Sequence, residues 1–120
     1  MRFLNLDRAC TILRLKNTDV SGNSLLDQIQ PIIEHVPHVI LDMGSIRITS
    51  MAIGELTNVA REFKRCWEHK PHSLAMTNLD AAGRKSLAVI HFDQVIPIID
   101  DQQGYLDLLF GVAQRNSEAV

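Results

Sequence analysis

Short apolar runs alternate along this chain with segments whose apolar residues are spaced three or four apart, and this alternation limits the folds open to it. The runs have the length and composition of strands, and the spaced segments have the pattern of amphipathic helices. Four runs are interpreted as strands: residues 9–16, 38–43, 72–78 and 94–98. This order predicts an α/β fold with a largely parallel sheet and right-handed crossovers. Residues 2–6 are a further candidate, for an edge strand.

Four helices are expected, and the first two lie on either side of the run at residues 38–43. The first begins at Ser21 or Ser24 and ends by Pro37. Pro31 inside it is expected to kink or shorten it, because proline lacks an amide hydrogen. The second has one apolar face: Ala52, Leu56, Val59, Ala60, Phe63 and Trp67.

The other two helices belong to the last third of the chain. Asp80 is the expected N-cap of a helix that runs to about Ile90. Asp100 and Gln103 have the spacing of a capping box, which opens a final helix. That helix would bury five apolar residues: Tyr105, Leu106, Leu109, Phe110 and Ala113. The chain from about residue 115 is expected to be a frayed tail.

Composition is typical of a soluble single domain that spans residues 1–120. Hydrophobic residues make up 46% of the chain and charged residues 22%. A net charge of −2 gives no reason to expect nucleic-acid binding, and no apolar run approaches the roughly 18 residues of a membrane span. The first residues lack the apolar region of a signal peptide. Cys10 and Cys66 suit a reducing compartment, so a cytoplasmic protein is expected.

Two adjacent hydroxyl side chains, Thr49 and Ser50, follow the apolar run at residues 38–43 within the segment "ITSMAIGEL", residues 48–56. A hydroxyl at a helix N-terminus accepts a hydrogen bond from a free backbone amide, which is typically worth about 1 kcal/mol. A phosphate there would add about −1.5 to −2 charges beside the same amides and the positive end of the helix dipole. The residues alone therefore leave two roles open, a cap and a modification site.

Several of these segments, in this order and spacing, resemble the STAS domain family, named for sulphate transporters and anti-sigma factor antagonists. "CTILRLK", residues 10–16, is similar to that family's second strand, and "VILDM", residues 39–43, to its central strand. Residues 48–56 are similar to its signature turn, and residues 78–100 to its final strand–helix–strand unit. The resemblance covers roughly residues 9–110. It implies a STAS-like sandwich with a mixed, mostly parallel sheet of four to five strands and about four helices.

The resemblance also assigns a role to Ser50, which takes the place of the serine that partner kinases phosphorylate. Three residues keep the pattern that follows this serine: Ile53, Gly54 and Leu56. Thr49 replaces the usual acid and Ala52 the usual glycine, and one residue fewer precedes the turn. The register of residues 44–50 is therefore open by one position. A threonine–serine pair at this turn resembles the stressosome-type members of the family.

A regulatory protein-binding module is the leading functional hypothesis from this resemblance. It would bind an anti-sigma factor or a serine/threonine protein kinase, and phosphorylation of Ser50, or alternatively of Thr49, would weaken that complex. The chain would be neither an enzyme nor a cofactor-binding protein. Nine residues form the expected partner-binding surface: Thr49, Ser50, Met51, Ile53, Gly54, Glu55, Asn58, Arg61 and Glu62.

Two other classes of function stay open. The first keeps the fold without phosphorylation, as a constitutive scaffold or homo-oligomer, and Thr49 and Ala52 favour it. The second is a small-ligand binder or enzyme, because open α/β sheets bind ligands at the carboxyl ends of their strands. Asp42 and Ser50 lie at such ends.

Histidine and cysteine patterns predict neither a metal site nor a nucleophile. Two histidine pairs are spaced three apart, namely His35 with His38 and His69 with His72, but Pro37 and Pro71 interrupt them. No cysteine pair completes a zinc site. The nucleophile-elbow pattern is absent around Ser50, and Cys66 beside Trp67 is interpreted as a packed helix residue. His91 is expected to lie at a helix C-terminus.

Overall fold

A computed structural model describes the backbone of residues 2–7 and the complete residues 10–22, 24–44 and 46–100. The strands are β1 Arg2–Asp7, β2 Cys10–Arg14, β3 His38–Asp42, β4 Ser73–Thr77 and β5 Ile98–Ile99. The helices are α1 Leu25–Ile33, α2 Ser50–Cys66 and α3 Ala81–Val89, with short 3₁₀ helices at Asn17–Val20 and Phe92–Gln94. These elements confirm the predicted α/β class.

The five strands form one sheet in chain order, β1-β2-β3-β4-β5. β1 is antiparallel to β2, which confirms the expected edge strand, and the other three pairs are parallel. Ile12 lies opposite Ile40, and Ile40 lies opposite Ala75. Because each crossover moves one strand onward in the same direction, right-handed connections place α1, α2 and α3 on the same face of the sheet.

The main core lies between that face and the helices. Four alternate strand residues point toward this core, as the two-residue period of a strand requires. They are Leu13, Val39, Leu41 and Met76. Residues spaced three or four apart meet them from α1 and α2: Leu25, Ile29, Ile33, Ala52, Leu56, Val59 and Phe63. Full burial of one large apolar side chain stabilises a fold by about 1.5–3 kcal/mol, so this layer holds α2 firmly on the sheet.

The first helix begins at one of its two predicted positions and stops four residues before Pro37. α1 begins after Ser24 and not after Ser21, whose hydroxyl instead donates to the carbonyl oxygen of Asn17. Pro31 lies inside the helix without ending it, and the helix stops at Ile33. Pro37 sets the outer limit of this helix, because the residue directly before a proline is disfavoured in helical conformation.

The last strand is shorter than predicted. Residues 94–98 were expected to form it, but β5 contains only Ile98–Ile99. Phe92–Gln94 instead form a 3₁₀ helix, and Pro97 has no amide to donate to a ladder, although its carbonyl accepts from the Met76 amide at 2.8 Å. The predicted fourth helix after Asp100 and the tail lie outside the described residues.

Candidate functional site

Three helix N-termini meet the carboxyl ends of the parallel strands at one edge of the sheet. Ser24, Thr49 and Asp80 are the N-caps of α1, α2 and α3. Each side chain accepts a hydrogen bond from an amide in its own first turn, at 3.4, 3.1 and 2.7 Å respectively. The partial positive charge of a helix N-terminus is met at α3 by the Asp80 carboxylate and at α1 and α2 by a hydroxyl oxygen.

The two hydroxyl groups at the start of α2 have different surroundings. Thr49 Oγ1 accepts a hydrogen bond from the Ala52 amide at 3.1 Å, and the Thr49 carbonyl accepts from the Ile53 amide at 3.0 Å. Ser50 is the first residue of the helix, is exposed, and its hydroxyl makes no hydrogen bond to another described residue. Of the two roles left open by the sequence, Thr49 therefore performs capping, and Ser50 is not needed for it.

The turn that precedes Thr49 is held by hydrogen bonds to its surroundings. The Ile46 amide donates to the Met43 carbonyl at 2.8 Å, and Ile46 itself is buried. The Arg47 amide donates to Asn17 Oδ1 at 2.9 Å, which ties the turn to the loop after β2. Gly44 has a φ of +45°, a conformation that most side chains disfavour. These contacts fix the direction in which α2 leaves the sheet, and hence the position of Ser50.

Asp42, at the end of β3, joins three strand ends through its carboxylate. Oδ1 accepts from the Gly44 amide at 3.1 Å and from Asn78 Nδ2 at 3.2 Å, and Oδ2 lies 3.4 Å from Arg14 Nε. Its side chain is only 14% exposed. All of these contacts are structural, which is the ordinary role expected for an acid at a strand end.

Six of the nine residues predicted to bind a partner are exposed: Thr49, Ser50, Met51, Gly54, Asn58 and Arg61. Ser50, Gly54, Asn58 and Arg61 follow one another at helical spacing, so they form a stripe along α2. Ile53 is half-buried against the core. The structure thus brings the predicted surface together along one side of the helix.

The two acids of the predicted surface are half-buried and already bound within the molecule. Glu55 Oε2 accepts from the Leu25 amide at 2.7 Å, so it helps to cap α1 from thirty residues away in sequence. Glu62 pairs with Arg65, whose hydrogen bond is the main reason that the pKa of Glu62 is lowered. No local sequence pattern signals the contact of Glu55 with α1, and sequence reasoning missed it.

Met51 and Gly22 form a contact between α2 and the loop before α1. A side chain at Gly22 would place its Cβ 3.1 Å from Met51 Sδ, and Gly22 also has a φ of +98°. Met51 still leaves 54% of its surface exposed. The loop at residues 17–22 therefore borders the predicted partner-binding surface. Its Gly- and Ser-containing sequence indicated a turn but not this position.

Arg47 is a further residue that sequence reasoning missed. It lines two hollows of about 360 and 380 Å³, one beside Thr49 and the other beside the N-terminus of α3. Its side chain is exposed and forms no ion pair with another described residue. Arg47 therefore adds a cation next to the start of α2, in the turn whose register the sequence left open.

Within the described residues, no group of three or more histidine, cysteine or acidic side chains is arranged to hold a metal ion. His38 Nδ1 lies 2.8 Å from Ser73 Oγ, and His72 Nδ1 lies 2.8 Å from the Lys70 carbonyl. His91 has a φ of +59° just after α3, which agrees with the helix C-terminal position expected for it. These histidines therefore take part in local structure.

Neither cysteine of the described chain has the surroundings of a reactive thiol. Cys10 is buried, and Cys66 is half-buried with its Sγ 3.8 Å from Glu62 Oε1. Burial, followed by the charge of Glu62, raises the pKa of the Cys66 thiol. A raised pKa disfavours the nucleophilic thiolate.

Across all the residues that the structure describes, no helix has the length and apolar character to span a membrane.

Comparison with known proteins gives a likeness in fold only. No family model matches the sequence, and no curated protein matches it. Among solved structures, the NMR structure of the protein TM1081 is similar, with a TM-score of 0.65 over 88% of this chain and 84% of that chain. The identity is 13%, so the likeness supports the α/β architecture and says nothing about activity.

Proposed function

We propose that this chain is a STAS-type regulatory binding module that acts as an anti-sigma factor antagonist does. It binds an anti-sigma factor or a serine/threonine protein kinase through α2, and phosphorylation of Ser50 releases that partner. The observation that carries the proposal is the separation of the two hydroxyls. Thr49 caps the helix, while Ser50 is exposed and has no bond to another described residue.

Phosphate on Ser50 would be tolerated by the free domain. It would lie beside the first amides of α2 and the positive end of the helix dipole, where a negative charge is worth about 0.3–1 kcal/mol. Thr49 would keep its bond to Ala52, because the phosphate replaces no contact that the cap makes. The modification therefore leaves the fold intact.

The same phosphate would oppose a protein that covers the turn. An unpaired charge buried in an interface costs several kcal/mol, and each 1.4 kcal/mol changes affinity tenfold. Met51, which is 54% exposed, adds an apolar contact next to Ser50. A partner seated on Met51 and the α2 stripe would bury the phosphate at Ser50, so a loss of affinity of a hundredfold or more is expected.

The test begins with the serine kinase or anti-sigma factor encoded nearest to this gene. The protein is incubated with it and ATP, and any phosphate is located by mass spectrometry in the wild type and in Ser50→Ala. We expect one phosphate at Ser50, and a Ser50→Asp variant that binds at least a hundredfold more weakly than Ser50→Ala. Thr49→Ser is the matched control, since it keeps a capping hydroxyl. Phosphate absent from both positions, with Ser50→Asp binding normally, would refute the switch.

A phosphorylation-independent scaffold is the second candidate, and one observation favours it. Val89 and Ile90, at the end of α3, leave 72% and 49% of their surfaces exposed. Clustered exposed apolar residues often mark interfaces between proteins. If a second copy covers them, Val89→Ser with Ile90→Ser will lower the mass measured by sedimentation equilibrium, while Ser50→Asp will not. A small-ligand site at Asp42 and Ser50 is the lowest-ranked proposal, and a thermal-shift screen with nucleotides, lipids and anions tests it.

A further inference from the structure

A groove of about 670 Å³ lies between the C-terminal half of α2 and the residues that precede β5. Along its length α2 packs closely on α1, and its contact with α3 is sparse. Phe63 and Leu74 form the apolar base, and Ala60, Val95 and Pro97 lie along the sides. Val95 leaves 54% of its surface exposed there. This groove is near the amino ends of the strands, away from the edge that carries Ser50.

Two cationic side chains of α2, Arg61 and Lys64, line the same groove. His72, from the residues before β4, adds an imidazole to the lining. No aspartate or glutamate is among the described lining residues, and neither Arg61 nor Lys64 pairs with a described acid. Arg65, one position further along the helix, is by contrast paired with Glu62. Among the described residues, therefore, nothing in the walls of the groove neutralises the charges of Arg61 and Lys64.

The histidine is held in one orientation. His72 Nδ1 lies 2.8 Å from the Lys70 carbonyl, which can only accept, so Nδ1 carries a proton. Its ring lies edge-on to Phe63, with 5.6 Å between the ring centroids. His72 thus joins the apolar base to the charged side of the groove, and its Nε2 is not engaged with a described residue.

We propose that this groove binds a medium-chain aliphatic monocarboxylate. The aliphatic chain lies on Phe63 and Leu74 and covers Val95, and the carboxylate lies between Arg61 and Lys64. These two residues are three apart on α2, so their side chains leave the helix about 5–6 Å from each other. The planar fork of arginine matches a carboxylate with two parallel hydrogen bonds. The volume falls within the usual range for small-molecule sites, about 300–1,000 Å³.

This inference goes beyond the proposed function and does not depend on it. Arg61 belongs to both the predicted partner-binding surface and the groove, but it lies eleven residues, or about 16 Å along the helix axis, from Ser50. Loss of carboxylate binding would leave the phosphorylation of Ser50 unchanged. Absence of phosphorylation at Ser50 would likewise leave carboxylate binding unchanged. The two proposals therefore fail separately.

The first experiment is an NMR titration of the ¹⁵N-labelled full chain with sodium decanoate below its micelle concentration. Amide shifts are expected to concentrate at Ala60, Phe63, Leu74 and Val95. Octanoate should bind more weakly, by roughly fourfold for each of the two methylenes removed. Decanol, which has the chain without the charge, should bind at least tenfold more weakly. Decanol or decyl phosphate binding more tightly than decanoate, or shifts lying outside the groove, would overturn the proposal.

The second experiment uses variants with a matched control. Arg61→Gln combined with Lys64→Gln should weaken decanoate binding by tenfold or more, and Lys85→Gln, an exposed cation on α3 outside the groove, should leave it unchanged. Val95→Glu places a carboxylate in the wall at an exposed position and should also reduce affinity at least tenfold. Amide spectra unchanged away from the groove show that each variant is folded. A folded double variant that binds as the Lys85 control does would refute the site.

Discussion

At the scale of single residues, Thr49 and Ser50 show how neighbours with the same chemical group come to have different roles. The residue that precedes a helix can direct its hydroxyl at the free amides of the first turn, and Thr49 does so. The next residue is already helical, and the hydroxyl of Ser50 makes no such bond to a described residue. Position relative to the helix start therefore decides which hydroxyl is structural.

Thr49→Ala is expected to destabilise the domain, and Ser50→Ala is not. Loss of the cap costs about 1 kcal/mol, within a range of about 0.5–2 kcal/mol. Alanine at the first helical position replaces no bond to a described residue and should change the free energy of unfolding by less than about 0.5 kcal/mol. Urea denaturation followed by circular dichroism measures both. Equal effects of the two substitutions would contradict the assignment of Thr49 as the cap.

His38 is expected to make stability depend on pH. Burial, followed by electrostatic interaction with His72, lowers the pKa of His38 below the ordinary histidine value of 6.5. The unfolded chain then binds a proton at a higher pH than the folded chain does. Above pH 6.5 His38 is neutral in both states, and the domain keeps its full free energy of unfolding. As pH falls from 6.5 through the lowered pKa of the folded state, the unfolded chain takes up the proton first and this free energy decreases.

The measurement for His38 is the free energy of unfolding in urea between pH 5 and pH 7.5. His38→Gln should flatten its decline toward acidic pH, because the substituted side chain takes up no proton. His35→Gln is the control, since His35 is exposed. An unchanged slope in His38→Gln would contradict the prediction.

At the scale of secondary-structure elements, the sequence predicts the position of α2 well and the position of β5 poorly. The apolar face of α2 follows the helical period over about three turns, so Ala52, Leu56, Val59 and Phe63 identify it from sequence. β5 begins at Ile98 and not at residue 94, because the chain before it leaves a 3₁₀ helix at Phe92–Gln94 and Pro97 has no amide to donate to a sheet ladder.

The candidate site was predictable to a similar extent. Exposed residues on the α2 stripe follow from periodicity, which is why Ser50, Asn58 and Arg61 were found on one side of the helix. Contacts between distant segments were not predictable, because local spacing carries no information on them. Glu55 with Leu25 and Arg47 with Asn17 are both of this kind, each thirty residues apart.

Two glycines of the helices are expected to respond to alanine in opposite directions. Gly54, inside α2, has nothing within 4 Å of an added Cβ, so Gly54→Ala should stabilise by about 0.5–1 kcal/mol. An added Cβ at Gly83 would lie 3.1 Å from Leu79 Cδ2 and 3.1 Å from Asp80 Oδ1. Gly83→Ala should therefore destabilise, through crowding at the first turn of α3. Thermal unfolding of both variants tests the pair, and a shift of the same sign in both would contradict it.

At the scale of the whole molecule, one core connects most of the described elements. The buried cluster runs from Leu13 in β2 through α1 and α2 to Ile96, just before β5. Trp67, the single tryptophan, lies where two of these helices meet, and its Nε1 donates to the Ile33 carbonyl at 2.6 Å. Its fluorescence therefore reports on the packing of α1 against α2.

A single cooperative transition is expected on unfolding, because single domains of this size usually unfold without populated intermediates. Trp67 fluorescence and far-ultraviolet circular dichroism should give the same urea midpoint within error. A fluorescence midpoint at lower urea would show that α1 separates from α2 before the sheet is lost. Phosphorylated protein should show the same coincidence, since the modification leaves the core untouched.

Because the capping hydroxyl at the start of α2 belongs to Thr49, Ser50 makes no bond to another described residue that the fold requires. Alanine, aspartate and glutamate are all accommodated at the opening position of a helix. Under the proposed switch, a single codon change at position 50 would fix the partner-bound or the released state, with no compensating change elsewhere. The side chain at position 50 can thus change without a change in the architecture that α2 supports.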